Sequence, residues 1–80
     1  MTKGGEKMVQ SFYLFALKFR GGQKEDSKSI FAEAMFMTHD FPKTETSFME
    51  LSKYIEELAH PDMPATVFDD IWRLYEEHIQ

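Results

Sequence analysis

Between residues 12 and 19 the apolar positions recur with the period of a helix: Phe12, Phe15, Ala16 and Phe19 fall at i, i+3, i+4 and i+7. Tyr13 and Leu17 add a second stripe, leaving Lys18 as the main polar position. A helix apolar nearly all round is expected at the centre of a fold. Ser11, just before it, is suited to accept hydrogen bonds from the unpaired N–H groups of the first turn. Gly21-Gly22 then end the helix, because glycine tolerates the left-handed conformation found there.

A second helix is expected from Asp26 or Ser27 to about His39, with Ile30, Ala34 and Met37 on one face and Phe31 and Met35 widening it. Asp40 to Thr46 reads as a loop, since Pro42 pushes Phe41 out of helical geometry; Phe41 is expected to plug the core. Ser47-Phe48-Met49-Glu50 matches the S-x-x-E capping box, in which each side chain bonds the other residue's backbone N–H. Phe48, Leu51, Ile55 and Leu58 follow at helical spacing. After the break His60-Pro61-Asp62-Met63-Pro64, a fourth helix runs from Pro64 or Ala65 to Ile79. Its inner face is Phe68, Ile71, Trp72, Tyr75 and Ile79, with Trp72 mostly buried; outside, Asp69, Arg73 and Glu77 are spaced for i, i+4 ion pairs. No run alternates apolar and polar residues for long, so the expected fold class is all-α, a compact bundle of four short helices.

Composition bears on what holds such a bundle together. Eighty residues without cysteine have neither disulfide nor thiolate metal site, so stability rests on packing. Eight Phe, three Tyr, one Trp and six Met supply the bulk. No run approaches the roughly 20 apolar residues of a membrane span, and Met1 to Gln10 lack the apolar middle of a secretory signal. A cytoplasmic location is the expectation. Residues 1–7, polar and glycine-bearing, read as a flexible leader or extension, and residues 8–80 as a single helical domain.

The formal charge of −5 is unevenly spread. Residues 1–28 carry six cations against three carboxylates, whereas residues 29–80 carry three against eleven. Lys18, Arg20, Lys24 and Lys28 form a candidate basic patch, and Lys43 is a further cation at a helix–loop junction beside an aromatic. Arg20 and Lys43 are also placed to bond helix-end carbonyls, and capping is the favoured role.

Catalytic and metal chemistry find little support. His39-Asp40 and His60-x-Asp62 resemble ligand pairs, but both fall at helix ends or in loops, where such residues form caps and turns. Glu56-Glu57 and Asp69-Asp70 are neighbours in helices; adjacent side chains there diverge, so neither pair converges on one atom. Gly21-Gly22 stand without the remainder of a phosphate loop. Met35, Met37, Met49 and Met63 are read as core rather than as an adaptable binding surface. No catalytic residue, metal ligand or cofactor is expected.

Several pieces together carry a resemblance: Ser11-Phe12-Tyr13, Arg20, Phe41-Pro42-Lys43-Thr44, Leu51-Ser52-x-Tyr54-Ile55-Glu56 and Phe68-Asp69-Asp70-x-Trp72-x-x-Tyr75. In this order, over residues 8–80, the chain resembles the YozE family of short bacterial proteins. The resemblance implies a four-helix fold like that of sterile-alpha-motif (SAM) domains and a Gram-positive source. It implies no activity. Thr38 and Ser47 depart from it, standing where an acidic residue is expected, and so do the residues before Met8. The expected function is a non-catalytic interaction module that binds an unknown protein partner, or itself weakly. The alternative is nucleic-acid binding through Lys18, Arg20, Lys24 and Lys28, which the acidic total opposes.

Overall fold

Ser11 opens the first helix as its spacing predicts, its hydroxyl accepting the Leu14 N–H at 3.2 Å. In the computed structural model, which describes residues 10–79, α1 spans Phe12–Ala16 and tightens into a 3-10 turn at Leu17–Phe19. The Arg20 N–H closes that turn on the Leu17 carbonyl, three residues back, the bond of the tighter helix. The helix is thus shorter than the apolar run suggested, and not buried all round: Leu14 is 54% exposed. Gly21 ends the segment with φ +83.

The next helix, α2, spans Ser27–Met37, with the Asp26 carboxylate accepting the Lys28 N–H at 3.0 Å. Its core face is Phe31, Ala32 and Met35, so of the stripe expected to lead, Ile30 and Met37 turn outward while Ala34 stays partly buried against the core. Two apolar stripes lie on one helix, and only one can face α4 and the 3-10 turn, against which α2 packs. The methionines divide accordingly: Met35 and Met63 are buried, Met37 and Met49 exposed.

Phe41 is buried as expected, tilted against Tyr13 and edge-on to Tyr54. Helix α3 spans Phe48–Leu58 behind the Ser47 cap, which accepts the Glu50 N–H at 3.3 Å. The reciprocal half of the expected capping box is made by another residue: Glu45, not Glu50, accepts the Ser47 N–H, at 3.0 Å. Helix α4 spans Ala65–Ile79 and touches α1, α2 and α3. Phe68, Ile71 and Tyr75 are buried, Trp72 is partly so, and Ile79 is exposed. Arg73 reaches Asp70 at 3.6 Å, one turn back, in place of the expected Asp69 and Glu77.

Among the described residues the fold is therefore all-α, four helices and no strand. Its centre is aromatic. The Phe12 ring lies edge-on to Phe31, Phe68 and Tyr75 and stacked on Trp72. The Tyr75 hydroxyl donates to the Gln10 carbonyl at 2.6 Å, fastening the last helix to the residue before the Ser11 cap of the first. The expected leader, residues 1–7, lies outside the described residues.

Candidate interaction surface

The cations singled out in the sequence are mostly engaged within the fold. Lys18 holds its ammonium 4.2 Å from the Phe15 ring centroid and 5.6 Å from that of Phe19. Arg20 lays its guanidinium 3.7 Å from the centroid of Phe36 and donates through Nε to Glu33 at 3.2 Å. Ring and carboxylate thus fix the plane of the guanidinium between them. Lys43 donates to the His39 carbonyl at 2.9 Å, in the turn beyond the Thr38 cap of α2, so it braces the loop and does not reach the helix-end carbonyls its position suggested. Lys28 is half-buried in the first turn of α2, and Lys24 is exposed on the loop before it.

That loop is pinned to α2 because the Gly22 N–H donates to the Ser29 hydroxyl at 3.0 Å. It forms one wall of a groove of about 520 Å³. The second stripe of α2 (Ile30, Ala34, Met37) is the floor, and His60 and Asp62 stand opposite. His60 and Asp62 are not arranged as a ligand pair. The His60 Nδ1 accepts the Asp62 backbone N–H at 3.0 Å, which closes the turn and gives this His–Asp pair a local structural role. Among the described residues no group of three or more His, Asp or Glu is placed to hold a metal ion, and no helix is long and apolar enough to cross a membrane.

A second polar cluster lies away from the groove. The Tyr54 hydroxyl donates to Asp40 at 2.8 Å. Burial first, and then the adjacent carboxylate, push its phenol up to about 12. Burial alone raises that of Tyr75.

The groove went unforeseen, although a signal for it was present. Two apolar stripes on the second helix are more than one small core can cover, and the surplus stripe became its floor. Its other wall, the His60–Asp62 turn, reads in the sequence only as a break between helices.

Comparison with known proteins covers most of the chain. The YozE SAM-like fold matches residues 11–77. A UPF0346 protein of Levilactobacillus brevis is 44% identical over 69 residues, covering 85% of this chain and 93% of its own length. SH1485 of Staphylococcus haemolyticus, also a UPF0346 protein, is 47% identical over 70 residues (88% and 89%). YozE of Bacillus subtilis is 38% identical over 71 residues (89% and 96%). No solved structure matches the chain. With nearly the full length aligned and the four helices in place, this chain belongs to the YozE SAM-like family of small bacterial proteins.

Proposed function

We propose that this protein is a non-catalytic interaction module whose binding face is the outward side of α2, with the Gly21–Lys24 loop and the His60–Asp62 turn as its walls. The observation that carries the reading is the uncovered stripe on α2: Met37 is 71% exposed and Ile30 37%, on a helix whose other side is fully buried. Apolar residues gathered in a groove with a polar rim are what a protein partner covers. Lys24 and the stacked Arg20 stand beside it as positive groups for orienting that partner.

Duplex nucleic acid fits this face less well. Its affinity rests on several cations free to meet phosphates. Here Arg20 is shared with Glu33, Lys18 lies over rings and Lys43 is bonded to the His39 carbonyl of its own loop. Capture from a native cell lysate, with the full chain against Met37→Asp as bait, tests the reading. Met37 is exposed, so the variant is expected to melt with the parent and to lose the partner. A partner held equally by both baits removes α2 as the binding face. Sub-micromolar duplex binding at about 150 mM salt overturns the protein-partner reading in favour of nucleic acid.

A further inference from the structure

The groove on α2 is polar along its length, and that narrows what fits it. Lys24 stands by the N-terminal end of α2 and has no ion-pair partner among the described residues. Asp62, likewise unpaired, stands toward the C-terminal end, where the Thr38 hydroxyl meets the Met63 sulfur at 4.0 Å. Between them Ile30, Ala34 and Met37 give an apolar floor of roughly 10 Å. Glu33 is answered by Arg20. The complement is a helix antiparallel to α2 that carries an apolar residue between a cation and, further on, a carboxylate.

One helix of this chain has that face. On the side of α4 away from Phe68, Ile71 and Tyr75, the residues Asp70, Arg73, Leu74 and Glu77 fall at i, i+3, i+4 and i+7. Leu74 is 37% exposed, beside Arg73 and one turn from Glu77. No residue of α4 lines the groove, so the two surfaces are separate patches on one molecule.

We propose that the groove on α2 receives the outer face of α4 from a second copy of this chain. Leu74 lies over the apolar floor, Glu77 meets Lys24, and Arg73 exchanges Asp70 for Asp62. This rests on the reading of the α2 face as a binding surface and names its occupant. Unlike patches on one molecule favour a heterologous, head-to-tail contact, which extends from copy to copy unless the rotation between them closes it. Few exposed ion pairs contribute, and the net charge of −5 opposes them. Dissociation constants of about 0.1–1 mM are expected.

The test is sedimentation velocity with concentration-dependent NMR shifts, on the full chain, from about 50 µM to about 2 mM at roughly 150 mM salt. Average mass should climb with concentration, and shifts should move around Ile30 and Met37 and also around Leu74. Lys24→Glu and Glu77→Lys should each weaken association by about fivefold. The double variant, which reverses the pair, should regain parental behaviour. A monomer throughout, growth indifferent to both single changes, or shifts confined to one face overturns the proposal. If the monomer still captures a partner that Met37→Asp loses, the interaction-module reading stands and the second copy is excluded as its partner.

Discussion

Replacing Phe12 with leucine tests the core at its centre. The Phe12 ring is fully buried, with centroids at 5.2 Å from Phe68, 5.8 Å from Tyr75, 5.9 Å from Trp72 and 6.4 Å from Phe31. Leucine keeps the site apolar but removes about three carbons' worth of buried surface, at about 0.8 kcal/mol each. The edge-to-face contacts are lost as well, while partial collapse of the cavity returns some of the cost. The net is a destabilisation of about 2–3 kcal/mol, within a total of about 4–12 kcal/mol for a chain of this length. The melting temperature should fall by about 10–20 °C. The control is Leu14→Ala in the same helix. Leu14 is 54% exposed, and leucine and alanine are both good helix formers, so this change should stay within about 0.5 kcal/mol. Thermal and urea unfolding followed by far-UV circular dichroism reads both variants. If Phe12→Leu melts within about two degrees of the parent, or Leu14→Ala loses as much as Phe12→Leu, the assignment of the core is wrong.

Two backbone changes should act in opposite directions. Gly21→Ala puts a side chain on a residue with φ +83 and no neighbour within reach, so it should cost about 1 kcal/mol by backbone strain alone. Ala59 ends α3 at φ 50, and Ala59→Gly should stabilise by up to about 1 kcal/mol; equal effects of the same sign in urea melts would contradict the backbone account. Alkaline pH should destabilise the fold: Tyr54 titrates near 12 when folded and near 10 when unfolded, so its contribution is complete below about pH 10 and lost as pH rises toward 12. Tyr75, also raised, adds to the same decline, so Tyr54→Phe should flatten the stability curve in that window only in part. A curve parallel to the parent's there would mean that burial and the Asp40 contact together do not raise the Tyr54 phenol.

The number, order and ends of the helices could be read from caps and breakers. Ser11, Asp26 and Ser47 each accept the N–H that their position suggested, because capping is settled by residues three apart or fewer. What periodicity could not decide was which of two apolar stripes on α2 faces inward, since that choice is made by the 3-10 turn and α4, remote in sequence. The groove was missed for the same reason. It needs the 21–24 loop and the 60–62 turn side by side, and no local pattern encodes their meeting. Glu45 displaced Glu50 at the Ser47 cap because it approaches from the preceding loop, where nothing in the helix pattern directs attention. The basic residues were legible as a group, but not their separate engagements with Phe15, Phe36 and His39.

The cage around Phe12 also has a consequence for synthesis. Three of its four walls, Phe68, Trp72 and Tyr75, come from α4, and the hydroxyl clasp joins residues 65 apart. While the chain is being made, α1 through α3 therefore emerge from the ribosome with Phe12 unsheltered. The aromatic interior cannot be sealed until α4 has followed. A released chain cut before residue 65 should therefore be sticky and protease-sensitive, and should bind chaperones that the full chain no longer engages.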